Sequence, residues 1–310
     1  MARPLTIALG IAALAALTGC TPKTTTEIDW EVFNGRRAFS HIETIVGYGP
    51  RPTASSELIH SATYISTQLQ ECGLDAEEQV FIARTPRGPL QFRNVIGRPR
   101  ARRGASEHII VVATHYDTKY LPKSRFVGAN DGGSGVGVLL EMARIASAMP
   151  NLWYVFLDGE ECVNEYREND GLWGSTYFVQ DLKGRKQLDR IQAMILLDMV
   201  GDKDLNIVMP ANSNRALVQR VFDAAKATGH RDHFSFGEMA TVDDHIPFLN
   251  AGIPAVDIID FQFGSAPGLN DYWHTEKDTL DKISPRSLEI VGQTTLRLVD
   301  SLRKNPKLDY

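Results

Sequence analysis

The stretch FLDGEEC at residues 156–162 takes an apolar run abruptly into Asp158, Glu160 and Glu161. Like charges at the mouth of a buried strand repel one another and resist desolvation, so the pattern calls for a positive partner. Three further apolar runs end in the same manner. HIIVVATHYD ends in His115 and Asp117, AMILLDMVGD carries Asp198, and GIPAVDIID carries Asp257 and Asp260. Asp131, in GANDGGSG ahead of a helical stretch, and His274, in YWHTEKD, complete the set that one sheet edge could gather. Taken alone, a strand-terminal aspartate is commonly a cap or turn former and a lone histidine a surface imidazole. Recurrence across several segments points instead to one convergent site. Histidine with carboxylates, and no thiolate, is the donor set of a catalytic zinc that keeps an open position. His115 and Asp117 alternate onto one strand face, so Asp117 is expected to orient His115 rather than bind metal. The glycine-rich GGSGVG carries neither a nucleophile elbow, since Val136 stands where glycine is required, nor a dinucleotide fingerprint, since Val138 does. A close approach of backbone near Asp131 accounts for its glycines.

The elements needed to bring these residues together can be read from periodicity. Short, fully apolar runs are the mark of a parallel sheet covered on both faces, and they alternate with helical stretches such as GVGVLLEMARIASAM and NRALVQRVFDAAKATG. The pattern predicts an α/β fold: a three-layer α/β/α sandwich around a mixed, mostly parallel twisted sheet, with the site at the carboxyl ends of the strands. A helix is expected over residues 30–46. Another follows GYGPRPT, where Leu58, Ile59, Ala62, Ile65 and Leu69 share helical spacing between a serine cap and Gly73. No internal repeat or low-complexity segment interrupts residues 31–310, which read as a single catalytic domain.

At 310 residues with 43% hydrophobic content the chain can bury a substantial core. A net charge of -5 and a pI near 5.9 argue against nucleic acid as a partner. The basic run RPRARR at residues 98–103 reads as a solvated hairpin loop. The N-terminus differs in kind: Arg3 precedes an apolar run too short to span a bilayer, which ends in Leu17-Thr18-Gly19-Cys20. Residues 1–20 resemble a bacterial lipoprotein signal peptide in which Cys20 becomes the lipidated first residue, and residues 21–30 a polar tether. The expected location is the bacterial cell envelope, outside the cytoplasm and attached to a membrane through that lipid. Thr21, rather than aspartate, follows Cys20. Cys72 and Cys162 remain for a compartment that permits disulfides, and the sequence leaves open whether they pair.

In chain order, HYD, GANDGGSG, GEE, LLDMVG and WHT resemble the motifs of the zinc aminopeptidase superfamily, which also contains the animal-type glutaminyl cyclases. The resemblance runs from about Val46 to the C-terminus. It implies that Asp131, Glu161 and His274 bind one zinc, and that in two-zinc peptidases His115 and Asp198 hold a second while Asp131 bridges. Glu160 would be the general acid/base in either branch. Toward the cyclases point HYDTK, FLDGEE, the insertion CVNEYRENDGLW before Gly174-Ser175, DDHIPFL, and Trp273 directly before His274. Toward the peptidases point the asparagine of GANDGGSG and the segment TEKDTLD. The cysteine pair common near the first metal motif of animal cyclases has no counterpart, since Thr114 and Val136 stand there. The cyclase branch is preferred. It implies one zinc, conversion of N-terminal glutamine of peptides or proteins to pyroglutamate with loss of ammonia, an acid network of Asp198 and Asp243, and a pocket lined by Tyr166 and Trp273. Tyr166 departs from the tryptophan usual in animal cyclases. The alternatives are a two-zinc aminopeptidase acting on peptide N-termini, with the same residues and a different nucleophile, and a catalytically inactive binding domain on a lipid anchor.

Overall fold

The computed structural model describes residues 27–100, 108–167 and 169–308. The stretch read as a signal peptide, the first part of the expected tether and the second half of the RPRARR run lie outside the described residues.

Eight strands and seven α-helices are present among the described residues. Helix α1 (Gly35–Tyr48) and helix α2 (Ser56–Glu71) precede two long strands, β1 (Leu74–Thr85) and β2 (Gly88–Pro99). The order then alternates: β3 (Ile109–His115), α3 (Ser134–Ala146), β4 (Leu152–Leu157), α4 (Trp173–Gly184), β5 (Ile191–Asp198) and β6 (Ile207–Met209). Helix α5 (Arg215–Ala227), β7 (Phe234–Phe236), α6 (His245–Asn250), β8 (Ala255–Ile259) and α7 (Pro285–Lys304) complete the chain. The main sheet has six strands in the order β1-β2-β4-β3-β5-β8, and β6 pairs with β7 in a separate parallel ribbon. β3, β4, β5 and β8 are mutually parallel, whereas β1-β2 and β2-β4 are antiparallel.

Alternation along the central strands sorts their side chains into two cores. Ile110, Val112, Ile195 and Leu197 pack with α1, α2, α3, α5 and α7, whereas Val111, Ala113, Met194 and Leu196 pack with Phe178, Leu182 and Phe248 of α4 and α6. A strand turns successive residues to opposite faces, so burial of both sets is what makes these runs wholly apolar and the architecture three-layered, as expected. Because four neighbouring strands run parallel, their carboxyl ends share one edge.

Three expectations change. The loop after β2 is not a hairpin, since β4 lies between β2 and β3 in the sheet. The first helix begins at Gly35, capped by the Asn34 side chain, and Trp30–Val32 form a separate 3-10 turn. Ile28 is buried, so the folded body begins inside the stretch read as tether. Cys72 and Cys162 are free thiols. The second helix keeps its predicted serine cap, at Ser55, and Gly73 takes φ +84° just beyond its end.

Candidate active site

Each parallel strand delivers its polar residues to the common edge. β3 ends on His115, β4 leads directly into Glu160 and Glu161, and β5 ends on Asp198. Asp131 comes from the turn before α3 and His274 from the loop before α7. Gly132 lets the Asp131 turn approach the strand end: it adopts φ +72°, and a Cβ there would stand 2.3 Å from Asp117 O. Two bulky residues also take left-handed backbone here, Met199, next to the candidate ligand Asp198, at φ +48° and the candidate ligand His274 itself at φ +54°. Strain of this kind concentrates where side-chain aim is functional.

Five side chains converge. His115 Nε2 lies 3.0 Å from Asp198 Oδ1 and 3.2 Å from Asp131 Oδ1. His274 Nε2 lies 3.0 Å from Glu161 Oε1 and 3.3 Å from Asp131 Oδ2. Asp131 thus turns one oxygen to each imidazole, and its buried Oδ2 has no hydrogen-bond donor. His115–Asp131–Asp198 and Asp131–Glu161–His274 form two groups whose donor atoms lie within 4.8 Å of one another. Imidazole and carboxylate donors at that spacing suit zinc. Electrostatics agree. Burial opposes a charge on His274, yet the adjoining carboxylates of Asp131 and Glu161 outweigh it and raise its pKa to about 9. Burial likewise opposes charge on His115, and Asp198, Asp117 and Asp131 overcome it. Positive charge is strongly favoured where these donors meet.

Around this group the chain supplies supports. Asp117 accepts from the backbone N–H groups of Glu160 and Glu161 at 3.2 and 3.4 Å, whereas 3.6 Å separates it from His115 Nδ1. The expected orienting bond to His115 is therefore too long, because the carboxylate is committed to the double-glutamate loop. Asp158 takes the Thr53 hydroxyl and Arg93 N–H, holding the turn. Sequence reasoning missed Arg51 and Asp278. The fully buried Arg51 donates to the carbonyls of Tyr116, Val127 and Gly128, while Asp278 accepts from Asn130 N–H and Asp131 N–H. Only their punctuation, GPRPT and TEKD, hinted at either. Lys119, third after Tyr116 in HYDTK, reaches Glu161 Oε2 at 3.4 Å and Cys162 O at 2.9 Å.

The expected fourth strand end divides. Asp260 leaves the cluster, its oxygens taken by Asn206 N–H and Gln262 N–H. Asp257 is wholly buried, with His245 Nδ1 3.8 Å away and neither of its oxygens hydrogen-bonded, and its charge bears on Asp243. Beside them Asp244 accepts from Ser175 at 2.5 Å. Burial leads in raising the pKa of Asp243 and Asp257 well above the carboxylate range, with repulsion from Asp257 and Asp198 adding to it for Asp243 and from Asp198 and Asp244 for Asp257, and burial raises Asp244 to about 7.

Glu160 stands between the two groups and faces a cavity of about 530 Å³, lined also by Tyr166, Met239, Val242, Asp243, Phe261 and Trp273. Trp273 stacks on the His274 ring at 3.8 Å and meets Phe261 edge-on. Burial, reinforced by Glu161, Asp244 and Asp198 against the opposing His115, pushes the Glu160 carboxyl well up.

A cleft of histidines and carboxylates at the carboxyl ends of a mostly parallel sheet defines an α/β protein with a candidate metal centre at the usual ligand-binding edge of such a fold. Residues 94–299 match Peptidase family M28, and the chain belongs to that family. A glutaminyl-peptide cyclotransferase-like protein of Mus musculus is 30% identical over 267 residues, 76% of this chain and 67% of the relative. A solved glutaminyl cyclase of an Acidobacteriales bacterium is 37% identical with a TM-score of 0.81, covering 88% of this chain and 95% of that one. A Zn-dependent exopeptidase from Parabacteroides distasonis is also similar, at 29% identity and TM-score 0.75, covering 86% and 98%.

Proposed function

We propose that the protein is a zinc-dependent glutaminyl-peptide cyclotransferase, closing N-terminal glutamine of peptides and proteins to pyroglutamate with release of ammonia. The observation that carries the reading is Glu160: a buried carboxyl of raised pKa, facing an apolar-walled cavity beside the metal-donor group. The likeness to glutaminyl cyclases supports the choice of reaction.

Asp131, Glu161 and His274 would hold the zinc, which when bound acts as a Lewis acid toward the side-chain amide carbonyl. Glu160 accepts a proton from the substrate α-amine as that nitrogen attacks the side-chain amide carbon. It then returns the proton to the departing nitrogen, which leaves as ammonia. A carboxyl shifted toward neutrality suits both halves of such a transfer. Attack is intramolecular, so the walls formed by Tyr166, Trp273 and Phe261 contribute by folding the glutamine side chain back on its own amine. Asp198 and Asp243 would steady the leaving amide. The test is mass analysis of a Gln-initiated peptide after incubation with the purified domain. Loss of ammonia is expected; release of the whole first residue would overturn the reading in favour of an aminopeptidase. That second reading is favoured by one observation, the second donor group of His115, Asp131 and Asp198. Zinc content separates them further, one ion per chain for the cyclase and two for the peptidase.

We also infer that Cys20 carries a lipid, placing the domain at a bacterial envelope membrane. Among the described residues no helix is long and apolar enough to cross a membrane. Cys20→Ala should therefore release the protein from the membrane fraction; continued sedimentation with membranes would count against the anchor.

A further inference from the structure

The loop between Glu161 and α4 is built around Glu160. It leaves directly after the double glutamate, and its end returns to the same place: Leu172 N–H donates to Glu160 O at 3.0 Å and Trp173 N–H to Gly159 O at 2.9 Å. Midway, the Tyr166 hydroxyl donates to Glu160 Oε2 at 3.0 Å. Among the described residues this is the one hydrogen bond donated to the Glu160 carboxylate.

Tyr166 has little freedom to be elsewhere. The Asp170 carboxylate gathers the N–H groups of Val163, Asn164 and Glu165 at 2.6, 3.0 and 3.3 Å, and Arg167 and Asp170 exchange backbone hydrogen bonds. The loop is thereby wound into a compact knot whose product is the placement of residue 166. Gly171 makes room for the ring: it adopts φ +98°, and a Cβ there would stand 2.7 Å from Tyr166 Cδ1. Burial, with Glu160 and Glu161 nearby, raises the phenol pKa well above its usual value, which keeps the hydroxyl a donor.

We propose that Tyr166 is a positioning residue as well as a wall of the cavity: its hydroxyl fixes the orientation from which the Glu160 carboxylate exchanges protons with substrate. The inference rests on the acid/base role of Glu160 given above. A carboxylate on two methylenes at the edge of an open cavity has several rotamers, and a single well-aimed donor selects one. The ring alone cannot do this.

Tyr166→Phe separates the two contributions, because it keeps the ring and deletes the hydroxyl. On a Gln-initiated peptide the variant should lose about ten- to a hundredfold in kcat with KM changed by no more than about twofold. Its zinc content should equal that of the wild type, since Glu161 and His274 are untouched. A kcat within about twofold of the wild type, or a loss confined to KM, would overturn the proposal, leaving Tyr166 as wall only. Loss of zinc would overturn it too, assigning the loop to assembly of the donor group. Should the wild type release free residues rather than ammonia, the cyclase reading fails separately. The same kcat and KM comparison on that hydrolysis then tests the brace, since Glu160 is the base there as well.

Discussion

Two acidic groups lie side by side in this molecule, and their partners differ. In the first, Asp131, Glu161 and Asp198 are interleaved with His115 and His274, and the imidazoles are drawn toward the charged form. In the second, Asp243, Asp244 and Asp257 face one another, and the nearest imidazole, His245, is driven down to about 4 by burial and stays neutral. One group is organised for positive charge; the other can relieve its repulsion only by keeping protons. Glu160 occupies the seam. On the proposed reading a cation would lie on one side of it and protonated carboxyls on the other, which suits a residue that takes and gives a proton.

The largest effect should come from breaking the first group. Asp131→Asn removes charge from the residue that faces both imidazoles, so zinc should be lost and turnover with it, to the assay background. Chelation of the wild type should do the same, with recovery on adding zinc back. Retained zinc and activity in Asp131→Asn would show that the two donor groups do not meet through this residue.

Next comes the seam itself. Glu160→Gln keeps the shape and an acceptor oxygen but cannot shuttle a proton, so activity should fall by about 10²–10⁴-fold while zinc content stays near that of the wild type. Dissociation of the two measurements is the point of the variant. If zinc fell together with activity, Glu160 would belong to the first group; if activity survived, the acid/base assignment would be lost.

How far this arrangement could be read in the sequence depends on distance along the chain. β3, β4, β5 and β8 are legible because burial on two faces removes polar residues until the strand end, where His115, Glu160, Glu161 and Asp198 stand out. The same reading could not separate Asp257 from Asp260. Both end one apolar run, and only the packing of α6 against β8 sets Asp257 beside His245 while Asn206 and Gln262 claim Asp260. Arg51 and Asp278 were hidden for a related reason. Each stabilises loops remote in sequence through backbone groups, which carry no side-chain signature. Tyr166 lies only six residues from Glu160, yet its bond depends on the winding of a loop around Asp170 rather than on any period.

The smallest expected effect tests the second group by its protons. Asp244 has an ordinary carboxyl pKa near 3.8 when unfolded and about 7 when folded, raised chiefly by burial. The folded chain therefore binds this proton more tightly. The associated stability is complete below about pH 4 and is lost as pH rises toward and through 7. Asp244→Asn cannot titrate, so the difference in unfolding free energy between variant and wild type should move in favour of the variant by roughly 2–3 kcal/mol between pH 5 and pH 8. Both proteins are compared at the same zinc concentration, and zinc content should not change. A pH-independent difference would mean that Asp244 does not take up a proton on folding in this range, which would overturn the assignment of the second group as one that keeps protons. If the shift appears while Asp131→Asn has lost its zinc, the two neighbouring groups differ in the way their partners imply: neutralising a carboxylate empties the first and relieves the second.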